Sequence, residues 1–127
     1  MRLTLSERGS ADADTVWRRY AHPDRWPDWA PQIRSVEAEG ALRPGMRGRV
    51  RPVVGPAVRF VVTAVDHDAR TWSWRVRTGP VRLLLEHAVD PWGSSGARTR
   101  LTLTGAAPVV LAYAPLARWA LRRLVRP

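Results

Sequence analysis

The sequence contains no cysteine, no lysine and no asparagine. Without cysteine there is no disulfide framework, no thiolate zinc site, no iron–sulfur cluster and no thiol nucleophile. The longest apolar stretch, Gly105 to Ala117, is too short to span a bilayer and is interrupted by Pro108 and Pro115. Met1 to Leu5 lacks the apolar core of a secretory signal, and Glu7 and Arg8 follow at once, so the expected location is cytoplasmic. Phosphate-cradling motifs are missing too, with neither a Walker loop nor Gly-x-Gly-x-x-Gly. Gly93-Ser94-Ser95-Gly96 lacks the Gly-x-Ser-x-Gly spacing of a nucleophile elbow and reads as a hairpin turn. Asp66-His67-Asp68 has ligand-type side chains, but consecutive positions in a tight turn converge poorly on one ion, so no metal and no cofactor are expected. Glu37 and Glu39 share a strand face and read as a solvated pair.

What is present is 127 residues, 45% of them hydrophobic, which is the size of a single domain spanning 1–127. A chain of this length buries roughly two-thirds of the surface its unfolded form exposes, enough for a core without covalent staples. Seven tryptophans make disorder untenable. All 21 basic residues are arginine, against 11 acidic ones, for a net charge of +10. Such a surface attracts anions at modest ionic strength. The absence of lysine and asparagine, however, reads as a biased codon supply, and most of the arginine excess as solvated surface.

Leu3 and Leu5 alternate with Thr4 and Ser6, a short half-buried strand. Asp12 or Asp14 caps a helix carrying Val16, Trp17 and Tyr20, which must stop near His22 because Pro23 follows. Pro27 and Pro31 around Trp26 and Trp29 leave room for one further helical turn in a stiff aromatic connector. From Ile33 the period becomes two. Six strands are predicted, at 33–39, 47–52, 58–66, 71–77, 81–90 and 98–104, with separators short enough for a meander of antiparallel neighbours. After Gly105 a helical period returns, with Val110, Ala114, Ala117, Leu121 and Leu124 on one stripe, Pro108 in its first turn and Pro115 inside it.

This order resembles the helix-grip fold of the START/polyketide-cyclase (SRPBCC) superfamily, over nearly the whole chain. Local marks agree: Val16-Trp17, the Trp26-Pro27-Asp28-Trp29 run with Pro31 and Ile33 after it, Gly45 and Gly48, and Leu85 with His87 before Gly96 and Thr99. The resemblance implies an α+β domain, a seven-stranded antiparallel sheet wrapped around the long C-terminal helix, with one or two short helices after the first strand. It also implies a cavity between sheet and helix that takes lipids, sterols, polyketides or other apolar molecules.

Strand alternation separates the two faces of that sheet. The inward set is mainly aliphatic, with Phe60, Trp72, Trp74, Leu85, His87 and Thr99 in it, whereas Arg49, Arg51, Arg59, Arg75, Arg77, Arg82, Arg98 and Arg100 point outward. Candidate ligand-binding residues are therefore Trp26, Trp29, Phe60, Trp72, Trp74, Leu85, His87, Thr99 and Tyr113. Trp72 and Trp74, two apart on one strand, offer a stacking platform for a flat ligand. His87 is the one candidate acid or base. Glu86 cannot orient it, since adjacent strand residues face opposite ways.

Three functions compete. The first is carriage or sensing of a small hydrophobic or aromatic molecule, lipid-like or polyketide-like, in a cavity lined by Trp72, Trp74 and His87. The second is a cyclase or aromatase reaction using His87. The third places Arg118, Trp119, Arg122 and Arg126 of the C-terminal helix on an anionic membrane surface. Nucleic acid is disfavoured because the basic sheet face lacks interleaved aromatics.

Overall fold

A computed structural model describes the whole chain, Met1–Pro127. Seven strands form one antiparallel sheet: β1 (Arg2–Gly9), β2 (Ile33–Glu37), β3 (Arg47–Pro52), β4 (Val58–Asp66), β5 (Thr71–Thr78), β6 (Val81–Trp92) and β7 (Gly96–Gly105). Their spatial order is β1-β7-β6-β5-β4-β3-β2. Helix α1 (Ala13–Ala21) and a 3-10 turn (Pro23–Asp28) lie between β1 and β2, and helix α2 (Ala107–Leu124) follows β7. This is the helix-grip α+β arrangement that the sequence implies.

Because β1 and β2 occupy opposite edges, the segment joining them must cross the whole sheet. That crossing carries Trp17, Tyr20, Trp26 and Trp29, so four large rings are laid over one face of the sheet by topology alone. Its start is fixed by Asp12, whose side chain accepts a 2.7 Å bond from the Thr15 N–H, and Arg18 and Arg19 stand in the last turn, where cations suit the helix dipole. Further on, Trp17 Nε1 donates to His67 Nδ1 at 3.2 Å, tying α1 to the β4–β5 turn. In that turn Asp66 accepts the N–H groups of Asp68 and Ala69, a turn-stabilising role for the carboxylate.

Several strand ends differ from expectation. β1 runs on to Gly9 because all eight of its residues pair with β7, Glu7 and Arg8 included. β6 extends through Pro91 to Trp92, which is tolerable because β5 pairs with it only as far as Ala88. β2 stops at Glu37, where Arg51 holds the carboxylate at 2.6 Å, so Glu39 lies outside the strand. Helix α2 continues through Pro115, whose missing N–H falls on an exposed turn.

Gly45 and Gly48 are among the glycines that geometry requires. Gly45 has φ +82°, the left-handed region that costs other residues strain. A Cβ on Gly48 would meet the Glu37 carbonyl at 2.3 Å and the Phe60 ring at 2.8 Å.

Candidate ligand-binding site

The sheet's inner face splits into two zones by side-chain size. On β5 the inward series is Trp72, Trp74, Val76, and Val76 stands opposite Phe60 on β4 and Leu83 on β6. Next to it, Val50 pairs with Val58. The bulky rings therefore cluster toward one end of the strands and the aliphatic residues toward the other.

At the bulky end the space is filled. Trp26 stacks on Trp72 with centroids 5.5 Å apart, meets Trp74 edge-on at 5.1 Å, and donates its Nε1 proton to the Tyr20 carbonyl at 2.9 Å. Trp29 meets Tyr20 edge-on at 5.4 Å and donates to the Arg19 carbonyl. Tyr20 and Thr99 share a 3.2 Å hydroxyl contact. His87 lies against Trp72 and reaches its backbone carbonyl through Nδ1 at 3.2 Å. What remains among these groups is about 40 Å³, little more than the ~30 Å³ that one water occupies in the liquid. The ligand-sized cavity expected at Trp72, Trp74 and His87 is thus closed at Trp72 and His87 by the rings of the crossing segment.

At the aliphatic end a cavity of about 500 Å³ opens between the sheet and the first half of α2. That lies within the ~300–1,000 Å³ of small-molecule sites. Trp74 and Leu85 are its wall toward the filled zone, Val58, Val76 and Leu83 its floor, and Val109, Ala112 and Leu116 its roof. Of the residues predicted for ligand contact, Trp74, Leu85 and Tyr113 line it; Trp26, Trp29, Trp72 and His87 line the filled zone, while Phe60 and Thr99 are core residues.

The polar groups at this cavity are few. Gln32 Nε2 donates to the Tyr113 hydroxyl at 3.2 Å, whereas Gln32 Oε1, buried at the wall, has no partner. Trp74 Nε1 is likewise buried without an acceptor. One orphaned acceptor and one orphaned donor thus sit on residues lining a mainly apolar space, whose other polar lining residues are Tyr113, Arg77 and Thr78, and such groups cost free energy until something pairs them. Burial raises the Tyr113 pKa, so its hydroxyl stays protonated. Sequence reading missed Gln32 because it sits just before β2 with no motif around it.

Burial also dominates the chemistry of His87: it depresses the imidazole to about 3, against a smaller opposing effect of the Trp72 carbonyl. The ring is neutral at physiological pH.

A larger groove, about 720 Å³, lies outside, bordered by α1, the 3-10 turn and the C-terminal residues. Two of its five arginines reach main-chain carbonyls, Arg19 donating to Leu124 and Arg126 and Arg123 to Asp28 and Trp29, while Arg18 and Arg25 donate to the Thr15 and Asp28 side chains. This groove is the seam locking the crossing segment to α2.

Residues 2–127 match the family model described as polyketide cyclase / dehydrase and lipid transport. The chain belongs to that family. Solved structures similar to it include the di-domain ARO/CYC BexL of the BE-7585A biosynthetic pathway, with TM-score 0.82 and 21% identity. The match covers 98% of this chain and 45% of BexL, so the chain spans less than half of that protein's length. A protein of Nitrosospira multiformis aligns with TM-score 0.82 and 16% identity over 98% of this chain and 94% of its own. Ara h 8.0201 aligns with TM-score 0.74 and 14% identity over 98% and 95%. At these identities the likeness is one of fold. No protein of curated function matches the sequence. In this member of the polyketide cyclase / dehydrase and lipid transport family, no helix is long and apolar enough to cross a membrane.

Proposed function

We propose that the protein is a cytoplasmic carrier or sensor that binds a small apolar molecule bearing a hydroxyl or comparable polar group in the 500 Å³ cavity between β3–β6 and α2. The observation that carries this reading is the pairing of an aliphatic chamber with two orphaned polar atoms, Gln32 Oε1 and Trp74 Nε1. A hydroxyl donating to the first, or a carbonyl accepting from the second, would remove a desolvation penalty that the unliganded protein bears. The aliphatic walls supply affinity and the two polar atoms supply orientation.

The alternative, a cyclase or aromatase reaction with His87 as acid or base, draws no support from this geometry. An imidazole depressed to about 3 by burial is neutral at pH 7, so it offers no imidazolium acid and is a weak base. Its Nδ1 is also engaged by a backbone carbonyl, and its ring is covered by Trp72 and Tyr20. The family's description and the ARO/CYC neighbour keep a cyclase in view, but here it would have to rely on Tyr113 and Gln32.

Native mass spectrometry of freshly purified protein, repeated after denaturing extraction, tests the proposal. A discrete small molecule lost on denaturation supports carriage. Failure of apolar probes such as 1-naphthol to bind, in a well-folded sample, would overturn it.

A further inference from the structure

Eight large hydrophobic side chains are conspicuously exposed, and six of them, Val53, Val54, Val81, Leu111, Leu116 and Trp119, belong to the elements that surround the cavity mouth. Val81 and Leu116 line the cavity themselves. Val53 and Val54 follow the lining residue Pro52 in the β3–β4 hairpin, Leu111 precedes the lining residue Ala112, and Trp119 lies one turn beyond Leu116. Val54 is 87% exposed and Leu111 56%. Outside the group, Trp92 is covered by the Arg8 and Arg98 guanidinium groups, 4.9 and 5.0 Å from its ring.

Helix α2 makes the anomaly plain. Its buried stripe is Val110, Ala117, Leu121 and Leu124, yet its exposed stripe is Pro108, Leu111, Pro115 and Trp119, with no charge between Ala106 and Ala117. A helix apolar on every side belongs inside something.

The charge pattern says what. There is no Asp or Glu in 40–65, 69–85 or 91–127, so both hairpins at the mouth and all of α2 lack carboxylates. Each element instead ends its apolar tip with arginine: Arg51 and Arg59 flank the β3–β4 tip, Arg77 and Arg82 the β5–β6 tip, and Arg118 follows the uncharged part of α2. Apolar tips bounded by long cationic side chains suit a layer of hydrocarbon beneath anionic headgroups. A second copy seated face to face would set these arginines against like charges.

We propose that the cavity mouth docks on an anionic membrane surface. Val53, Val54, Val81, Leu111 and Trp119 enter the interface, and Arg59, Arg77 and Arg82 meet the lipid phosphates, since Arg51 and Arg118 are paired with Glu37 and Glu7. This rests on the carrier reading and gives the cavity's ligand a route that avoids water.

Co-sedimentation with phosphatidylcholine vesicles, with and without phosphatidylglycerol, tests it. The wild type should pellet with the anionic vesicles and lose binding as salt rises. Val54→Ser with Leu111→Ser, neutral in charge, should weaken association at least about tenfold. Arg59→Gln with Arg82→Gln, neither of which lines the cavity, should weaken it and flatten the salt dependence. Both variants should still bind 1-naphthol in solution, showing fold and cavity intact. Equal pelleting of the wild type and the serine variant would overturn the proposal in favour of diffuse charge attraction. A concentration-dependent dimer dispersed by the serine variant would overturn it in favour of a second copy. Vesicle binding lost in the serine variant without any 1-naphthol binding by the wild type would leave docking standing and remove the carrier reading.

Discussion

The imidazole of His87 lies flat on the indole of Trp72, ring centroids 3.9 Å apart and planes within 4°. The two residues stand directly opposite each other on β5 and β6. Trp26 covers the same indole and Tyr20 meets the imidazole edge-on at 5.2 Å, so residues from two further elements, the 3-10 turn and α1, converge on one cross-strand pair. Aromatic pairs of this kind contribute ~0.5–1.5 kcal/mol each beyond their buried area. The pair is the keel of the filled half of the fold.

That burial makes stability depend on pH with a definite sign. In the unfolded chain His87 titrates near 6.5, whereas in the folded protein burial holds it down to about 3. Between these values the unfolded state binds a proton that the native state refuses. Stability from this group is therefore complete above pH 6.5 and declines as pH falls toward 3, by up to ~1.4 kcal/mol per pH unit. Urea unfolding between pH 4.5 and 6.5, above most carboxylate titrations, should show the decline in the wild type. His87→Phe should flatten it. A His87 resonance titrating near 6.5 in the folded protein would refute the buried assignment.

The orphaned acceptor at the cavity predicts a preference measurable with simple probes. 1-Naphthol should bind more tightly than naphthalene, and Gln32→Leu should erase the difference while leaving naphthalene affinity unchanged. One buried hydrogen bond at ~1.4 kcal/mol corresponds to about tenfold. Titration calorimetry of both probes against both proteins reads it directly. An undiminished naphthol preference in the variant would shift the role to Trp74 or Tyr113.

The elements were readable from sequence because their periods and breakers agreed: Pro23 ended α1, and the alternation from Ile33 onward separated inward Trp72, Trp74 and His87 from outward Arg75 and Arg77. The cavity's place was harder to read. Aromatic residues alternating on a strand read as ligand platforms, but topology sends Trp26 across the sheet onto Trp72 and Trp29 onto Tyr20, and rings that meet rings leave no space. The usable signal was size: Trp72, Trp74 and Val76 step from large to small along β5, and Val50, Val58 and Leu83 continue the small end. Gln32 gave no sign, since its role depends on Tyr113 arriving from a helix far away in sequence.

Gly48 is the tightest point of the sheet's β2 edge. An alanine there would drive its methyl into the Glu37 carbonyl and the Phe60 ring, and the first of these is backbone. Gly48→Ala should destabilise by ~1–3 kcal/mol through separation of β2 from β3. Amide hydrogen exchange should show the loss confined to Ser35–Glu37 and their β3 partners. A wild-type exchange pattern would mean the strands slide apart without cost.

The outer face of the sheet carries a second strain, electrostatic rather than steric. Arg49 stands opposite Arg59, Arg59 opposite Arg77, and Arg77 opposite Arg82, a row of four guanidinium side chains across β3, β4, β5 and β6. None of the four makes an ion pair; the chain's carboxylates serve Arg25, Arg51, Arg70, Arg98, Arg100, Arg118 and Arg122 instead. Like charges directly opposite on a sheet cost ~0.2–1 kcal/mol a pair. Arg59→Thr, which removes two such pairs and places a β-branched residue mid-sheet, should therefore raise stability by ~0.5–1.5 kcal/mol at low salt. The gain should shrink in ~1 M salt, where charges are screened beyond about 3 Å. Because Arg59, Arg77 and Arg82 also flank the cavity mouth, the same substitution should weaken binding to anionic vesicles. A variant that folds better and docks worse would show that this row is held against folding stability by what it meets outside the protein.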